Sequence, residues 1–187
     1  MVKLNLGSGH WKLPGWLNVD LDCESMPRVC VDLAAGLPFR DASVDLMHSE
    51  DFIDQLELDQ ARVFLGECHR ILKSGGVIRI LTPDLERLAQ LYLHDPERLQ
   101  SLWNEHVGVP LHAGTPGEIF NVGMRFAGHT FLYDGETFIK LAADSGFEAR
   151  RVHYQHSEVP ELRGLDLRSP ENAVSMYFDC YKVSGPG

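Results

Sequence analysis

The stretch Leu4-Asn5-Leu6-Gly7-Ser8-Gly9 decides the fold, because it joins a short apolar run to a turn that contains two glycines. We predict a strand over Val2–Leu6 that ends at Gly7. Open α/β sheets bind ligands at the carboxyl ends of their strands. A glycine at such an end lets the backbone touch a ligand, because it has no Cβ. Turns of this kind also occur without a ligand, so this turn alone does not establish a binding site.

Beyond this turn, short apolar runs alternate with helical patterns, which predicts a parallel sheet covered by helices. The strongest helical pattern covers residues 59–72, with Asp59 as its cap. Further helices are expected to open at residues 82–84 and to cover Asp134–Ser145. The predicted strands are Val2–Leu6, Trp16–Val19, Val29–Val31, Val44–Met47, Val77–Leu81, Phe147–Tyr154 and Ala173–Val183.

Length and composition favour a single globular domain over residues 1–187. The net charge of −10 disfavours a nucleic-acid partner, which normally requires a basic face. No apolar run reaches the ~20 residues needed to cross a bilayer. Glycine follows the first six residues, which leaves too short an apolar run for the core of a signal peptide. We therefore expect a cytoplasmic protein without a membrane partner, and the sequence leaves the oligomeric state open.

The chain has four cysteines, Cys23, Cys30, Cys68 and Cys180. They lack the close pairing typical of zinc and redox sites, so we expect reduced thiols, with Cys68 and Cys180 packed in the core. His153 and His156 are close in sequence but have no third ligand nearby, so no metal site is predicted.

Two later strand ends carry carboxylates that suit an adenosine-containing cofactor. Asp20 can accept hydrogen bonds from both hydroxyls of a ribose, and Asp32, which precedes Leu33, can accept one from an adenine amine. Each aspartate alone is more typical of a turn or a cap, but three strand-end sites in order favour a binding site. The nicotinamide fingerprint needs a third glycine where Lys12 stands, so an NAD-type oxidoreductase is disfavoured.

An ordered series of short motifs runs through nearly the whole chain. It comprises Leu4–Gly9, Gly15–Asp20, Asp32–Leu33, Leu37–Phe39, Ser43–Leu46, Glu67–Gly76, Pro83–Leu85 and, more weakly, His129, Tyr133–Asp134 and Gly146–Phe147. With this series the chain resembles class I S-adenosylmethionine-dependent methyltransferases, and among them a small subgroup that begins with the signature LNLGSG. The resemblance implies a Rossmann-like α/β fold, with a mostly parallel seven-stranded sheet, helices on both faces and an antiparallel last strand.

The resemblance also implies S-adenosylmethionine as the cofactor and assigns residues to it. The glycine turn would meet the methionine part, Asp20 the ribose, and Asp32 and Leu33 the adenine. Asn5 stands where many relatives carry an acidic residue, and the short connection from Gly9 to Asp20 leaves little room for the usual first helix. The full set of cofactor candidates is Asn5, Gly7, Ser8, Gly9, Asp20, Leu21, Asp32, Leu33 and Ser49.

The fourth predicted strand leads into Ser49-Glu50-Asp51, beside the expected methyl group. Relatives often read Ser-Glu-His there, with a Glu-His pair one turn later, whereas this chain has Asp51 and then Asp54–Gln55. Glu50 is therefore the best-placed carboxylate to accept a proton, or else it orders the cofactor pocket. The other candidates for a base are His129, His106 and His112.

Two functions remain open at this stage. The first is a methyltransferase that acts by direct displacement on a small molecule or a glycan precursor. The second is a catalytically impaired S-adenosylmethionine-binding protein with a regulatory or accessory role. Residues 104–133 lack a sustained period, and we expect them to form a partly mobile lid that supplies acceptor contacts. A disordered excursion is the alternative for this segment.

Overall fold

In the computed structural model, which describes residues 1–25, 27, 29–106, 115–125 and 128–183, seven strands form one sheet. The strands are β1 Lys3–Leu6, β2 Leu17–Asp20, β3 Val29–Cys30, β4 Val44–Glu50, β5 Leu72–Pro83, β6 Phe147–Val152 and β7 Ser175–Lys182. The helices are α1 Leu58–Ile71, α2 Leu85–His94, α3 Pro96–His106, α4 Pro116–Gly123 and α5 Gly135–Asp144.

The strand order is β3-β2-β1-β4-β5-β7-β6. Strands β1 to β5 pair in parallel, and β7 runs antiparallel to both β5 and β6. The predicted mostly parallel sheet with an antiparallel last strand is therefore confirmed. The order reverses between β1 and β4, and open sheets bind ligands at such a switch point. Leu6 pairs with Ser49 there, so the glycine turn lies beside the end of β4.

Helices α1 and α5 cover one face of the sheet and build the main core. Helix α1 begins at Leu58, where the N–H of Glu57 donates to Oε1 of Gln60 over 3.0 Å. The helix itself is confirmed, but the prediction that Asp59 caps it is wrong, because the cap is Glu57. The buried residues that α1 and α5 bring to this core are Ala61, Phe64, Leu65, Cys68, Ile71, Phe138, Leu141 and Ala142.

The opposite face of the sheet is packed against loop segments. Leu46 and Val77 contact Leu13 and Trp16 from the β1–β2 connection, together with Leu162 from a 3-10 helix at Pro160–Leu162. Residues 7–16 are all described and contain no helix, as the short connection implied. The segment between β6 and β7 therefore takes over much of the covering of this face.

A row of buried polar side chains crosses this second face, each directly opposite the next. It consists of Asn18, Asn5, His48, Arg79 and Asp179. Asn5 donates to Oδ1 of Asn18 over 2.9 Å, and Nδ1 of His48 lies 3.2 Å from Oδ1 of Asn5. Burial lowers the pKa of His48 to about 4, so this imidazole is neutral at pH 7.

Arg79 is the centre of this row, and all five of its N–H donors are engaged. Nε and Nη2 each donate to Asp166 over 2.6 Å, in a bidentate pair, and Nη1 donates to Asp179 over 2.8 Å. The backbone carbonyls of His153 and His156 take the two remaining donors. The side chains of Arg79, Asp166 and Asp179 are completely buried. This network fastens the β6–β7 segment to the sheet.

Two expectations from the sequence are corrected by the structure. The sulfurs of Cys23 and Cys30 form a disulfide, so only the prediction of reduced thiols at Cys68 and Cys180 holds. The spacing of seven residues carries no C-x-x-C signal, and the fold brings the two cysteines together by pairing β3 with β2. The second correction is a helix that was not expected: within residues 104–133, Thr115 and Glu118 form a capping box that starts helix α4. The lid role of this segment stays a prediction.

None of the helices in the described ranges is long and apolar enough to cross a bilayer. Among the same residues, no group of three or more histidine, cysteine, aspartate or glutamate side chains is arranged to hold a metal ion.

We predict that Arg79→Leu lowers the free energy of unfolding by about 3–5 kcal/mol, because it leaves two buried carboxylates without their cation. Urea denaturation measures this change. Arg150→Leu is the matched control, since Arg150 also lies opposite Asp179 but pairs with Glu148 and Glu158 at the surface. Equal losses in the two variants would contradict the importance of the buried network.

Candidate functional site

The glycine turn after β1 is held in place by the end of β2. Gly7 and Gly9 have φ angles of 65° and 45°, in the left-handed region that glycine adopts without strain. The N–H of Gly9 donates to Oδ2 of Asp20 over 2.6 Å, and the N–H of Ser8 donates to the carbonyl of Val19 over 3.2 Å. Asp20 therefore shapes the turn as well as lying beside it.

Gly7 also makes room for a neighbouring aromatic ring. A Cβ at Gly7 would lie 2.7 Å from side-chain atoms of Phe52, which packs edge-on against Phe64 of α1. No such neighbour lies within 4 Å of a Cβ placed at Gly9. The two glycines are thus required for different reasons.

A cavity of about 330 Å³ opens over this turn, between β1, β4 and the β6–β7 segment. The strand ends supply its inner wall, and the segment after Asp166 closes one side. Of the predicted cofactor residues, Asn5, Gly7, Ser8 and Gly9 line it, as does Glu50. The other lining residues are His10, Trp11, His48, Asp51, Leu167 and Arg168.

The remaining predicted cofactor residues lie along the same edge of the sheet. Oδ1 of Asp20 accepts from the N–H of Asp22 over 2.8 Å, and the neighbouring Leu21 is exposed. Oδ1 of Asp32 accepts from the N–H of Ala34 over 2.9 Å, while Leu33 is buried in the main core. Asp20 is the last residue of β2 and Leu21 follows it, while Asp32 and Leu33 come shortly after the end of β3.

Ser49 has a different position from the rest of the predicted set. It is buried near the end of β4 and does not line the cavity over the glycine turn. Its hydroxyl has no hydrogen-bond partner among the described residues.

Glu50 fastens the β6–β7 segment to the end of β4. Its carboxylate accepts hydrogen bonds from the N–H groups of Leu167 and Arg168 over 2.9–3.2 Å. Burial raises the pKa of Glu50 to about 7, against the opposing effect of these two donors. The contacts favour a positioning role for Glu50, since they engage both of its oxygens.

Asp51 follows with a φ of 51°, a conformation that aspartate tolerates better than most residues. Its Oδ2 accepts a hydrogen bond from Nε of Arg168 over 2.8 Å. This ion pair stands at the end of β4, where the sequence comparison with relatives indicated a missing histidine.

A second cavity, of about 260 Å³, lies next to the first and shares Asp51 and Arg168 with it. Helices α2 and α3 and the start of β7 form most of its wall. Its remaining lining residues are Gln55, Pro83, Leu88, Leu99, Leu102, Trp103, Gly123, His129, Leu132, Asn172, Ala173, Val174 and Ser175.

His129 faces a buried carboxylate at the edge of this cavity. Its Nε2 lies 3.3 Å from Oδ2 of Asp54, and its Nδ1 lies 3.1 Å from the carbonyl of Gly123. Because a carbonyl only accepts, Nδ1 carries a proton and Nε2 faces the carboxylate. Burial raises the pKa of Asp54 to about 7 and lowers the pKa of His129. The two groups therefore share one proton near neutral pH.

Of the other predicted bases, His112 lies outside the described residues, and so does the side chain of His106. Sequence reasoning missed Asp54 as the partner of His129, and it missed Arg168 altogether. Asp54 stands where relatives carry a glutamate, which was a usable signal. Arg168 is an arginine in a charged loop, and no pattern in the sequence distinguishes it.

The family model of the methyltransferase domain, Methyltransf_11, matches residues 17–80, which is about a third of the chain. Solved structures share the fold over nearly the whole chain. The chain has the fold of a class I S-adenosylmethionine-dependent methyltransferase. A search of curated protein sequences gave no match.

Three solved structures illustrate the likeness to the methyltransferase fold. A chain of the Haloferax volcanii complex between the Trm112 methyltransferase activator and a methyltransferase has a TM-score of 0.60 and 14% identity, covering 100% of this chain and 83% of that one. A Thermotoga maritima S-adenosylmethionine-dependent methyltransferase has a TM-score of 0.57 and 18% identity, and the match covers 97% of this chain and 82% of that one. An S-adenosylmethionine-dependent methyltransferase from Methanosarcina mazei has a TM-score of 0.55 and 16% identity, and the match covers 97% of this chain and 92% of that one.

The domain match and these structures imply S-adenosylmethionine as the cofactor. The residues at the switch point fit this group. The cavity over the turn is open above Gly9, where a Cβ would meet nothing within 4 Å, and a close approach to the backbone is therefore free. Asp20 uses one lone pair on each oxygen for backbone N–H groups, and a carboxylate has about four such positions, so two remain for ribose hydroxyls.

We predict that Gly7→Ala lowers the free energy of unfolding by about 2–4 kcal/mol, since it adds left-handed strain and a clash with Phe52. Gly9→Ala is the control and should cost only about 1–2 kcal/mol, from strain alone. Urea denaturation compares the two. A Gly9 variant as unstable as the Gly7 variant would show that the contact with Phe52 is unimportant.

We also predict that Asp54→Asn reduces the pH dependence of stability. The folded protein holds the Asp54 proton between about pH 4 and about pH 7, where the unfolded chain has released it. The free energy of unfolding therefore falls as pH rises through this range, and the asparagine, which resembles the protonated acid, removes this loss. From about pH 5 to about pH 8, the wild type should lose about 1–3 kcal/mol more than the variant.

Urea unfolding at the two pH values measures this difference for Asp54→Asn. His129 and Tyr133, which face Asp54, are present in both proteins. Their contributions to the pH dependence of stability therefore largely cancel. Asp59→Asn, at an exposed position of α1, is the control and should leave the pH dependence unchanged. An identical pH dependence for the wild type and Asp54→Asn would contradict the shared-proton arrangement.

Proposed function

We propose that this protein is an active S-adenosylmethionine-dependent methyltransferase that acts on a small molecule. The observation that carries the proposal is the junction of the two cavities. The one above the glycine turn suits the cofactor, and the second shares Asp51 and Arg168 with it. A methyl group held at the end of β4 would thus face the second cavity, where an acceptor has room.

In this proposal the cofactor lies along the ends of β1, β2 and β3. The turn at Gly7–Gly9 receives the methionine part, Asp20 binds the ribose, and the backbone around Asp32 and Leu33 meets the adenine. Exposed Leu21 packs beside the adenosine, and Asn5 and Ser49 support the wall of the site. S-adenosylmethionine supplies the methyl group when it is bound.

The chain's own residues would position the acceptor and take its proton. Direct displacement depends on alignment of the acceptor with the methyl group rather than on covalent catalysis. The main contribution of the second cavity is therefore to position the acceptor. His129 and Asp54 form the proposed proton acceptor. Nε2 of His129 faces Asp54 and Nδ1 faces the carbonyl of Gly123, so the imidazole would turn one nitrogen toward the second cavity to take the proton of an acceptor hydroxyl. A group with a pKa near neutrality is well matched to this task.

Glu50 has a supporting part in the same proposal. Its carboxylate holds the N–H groups of Leu167 and Arg168, which keeps the Arg168 guanidinium on Asp51 at the junction. The loss of Glu50 would therefore misplace Arg168.

The second candidate is an S-adenosylmethionine-binding protein without catalysis. Aspartate and glutamine at positions 51 and 55, where relatives carry histidines, favour it. The His129–Asp54 pair at the acceptor cavity opposes it, because a titrating pair stands close to where the missing histidines would be.

We predict that S-adenosylmethionine and S-adenosylhomocysteine both raise the melting temperature of the protein, whereas NAD leaves it unchanged. A ligand that binds only the folded state adds about 2.7 kcal/mol of stability at a hundredfold excess over its dissociation constant. Differential scanning fluorimetry measures the shift, and mass spectrometry then follows the formation of S-adenosylhomocysteine with a panel of small acceptors. Stabilisation by NAD alone would overturn the proposal, and cofactor binding without turnover on any acceptor would support the second candidate.

We further predict that Asp20→Ala weakens S-adenosylmethionine binding roughly 10- to 100-fold, since each hydrogen bond to the charged group contributes about 1.5–3 kcal/mol before water compensates. Isothermal titration calorimetry gives the affinity. Asp144→Ala, at the exposed end of α5, is the control. Asp20→Asn keeps one acceptor oxygen and should fall between the two. An unchanged affinity in the alanine variant would remove Asp20 from the site.

A further inference from the structure

The described residues that line the second cavity present a mostly apolar surface to it. Its body is formed by side chains from α2 and α3 and by the residues that lead into β7. The larger apolar members of this wall are Leu88, Leu99, Leu102, Trp103, Leu132 and Val174. Leu99 and Leu102 are almost completely buried, so the wall is part of the packed protein rather than an exposed surface.

Among the described residues, the charged and titratable groups of this cavity lie toward one end. Asp51 and Arg168 form the boundary with the cofactor cavity, and His129 reaches the wall from its pair with Asp54. A ligand that fills the cavity thus meets apolar surface along its body and polar groups at its end near the cofactor.

Two of the other polar side chains in the wall are held by the protein's own backbone. The side-chain amide of Gln55 donates to the carbonyl of Asp51 over 2.6 Å. Oδ1 of Asn172 accepts from the N–H of Ser169 over 2.9 Å. These contacts reduce the number of partners for a ligand with hydroxyls on all sides.

We propose that the acceptor is an apolar compound of one or two rings that carries a hydroxyl at one end. This inference rests on the proposed function and names its substrate class. A cavity of about 260 Å³ suits a ligand of this size. A sugar would bury several hydroxyls against leucine and tryptophan, and each one without a partner weakens binding because it loses its hydrogen bonds to water. A ring hydroxyl at the junction would instead face Asp51, Arg168 and His129.

Helix α4 offers a matched pair of positions for testing the cavity. A Cβ at Gly123 would lie 3.4 Å from Cζ3 of Trp103 and 3.9 Å from Cδ1 of Leu88, inside the cavity wall. A Cβ at Gly117 on the same helix would meet only Oγ1 of Thr115, at 4.0 Å. Gly123→Leu therefore narrows the cavity, and Gly117→Leu adds the same side chain to the same helix elsewhere.

The test is isothermal titration calorimetry of the whole protein, saturated with S-adenosylhomocysteine, with 2-naphthol or methyl β-glucopyranoside as the probe. We expect 2-naphthol to bind at least tenfold more tightly than the glucoside. Gly123→Leu should weaken 2-naphthol binding at least tenfold, and Gly117→Leu should leave it within twofold. Titration with S-adenosylhomocysteine itself should give the same affinity in both variants, which shows that they are folded.

Tighter binding of the glucoside, no binding of 2-naphthol, or equal binding by both leucine variants would each overturn the proposal. These outcomes are separable from failure of the proposed function. Suppose that S-adenosylhomocysteine does not bind, but that 2-naphthol binds to the free protein and binds more weakly to the Gly123→Leu variant. The apolar site then stands while the methyltransferase proposal fails. If the cofactor product binds and 2-naphthol does not, the apolar acceptor fails, while the cofactor site of the proposed function stands and turnover alone decides whether the protein is an active methyltransferase.

Discussion

The buried guanidinium of Arg79 is the interaction on which the rest of this structure depends. A charge in the interior is tolerated only when it is paired and its donors are satisfied, and Arg79 places two carboxylates and two carbonyls around its five N–H groups. Three of these four partners belong to the segment between β6 and β7. That segment is thereby fixed on the face of the sheet where the β1–β2 connection is too short for a helix.

The same anchor determines the geometry of the site. Asp166 is bound to Arg79, and the next two residues donate to Glu50 at the end of β4. Arg168 consequently reaches Asp51, at the boundary between the cavity over the glycine turn and the apolar cavity. A network that stabilises the sheet thus also separates and aligns the two proposed ligand sites.

The sequence predicted the parts of the fold that depend on local patterns. Strand β1, the glycine turn and helix α1 follow from apolar periodicity and from the conformations that glycine allows, and all three are confirmed. Contacts between distant residues were not predictable. Arg79 meets Asp166 and Asp179 across 87 and 100 residues, and His129 meets Asp54 through the fold alone. Helix α4 was missed because eight residues give too short a period to recognise.

A crystal structure of the complex with S-adenosylhomocysteine tests the central claim most directly, since that claim is an arrangement of two adjoining sites. The account predicts ribose hydroxyls within hydrogen-bonding distance of Asp20, and the homocysteine part over Gly7–Gly9. It also predicts that the sulfur faces the Asp51–Arg168 pair and the apolar cavity behind it. An adenosine bound away from Asp20, or a sulfur directed away from that cavity, would contradict the account.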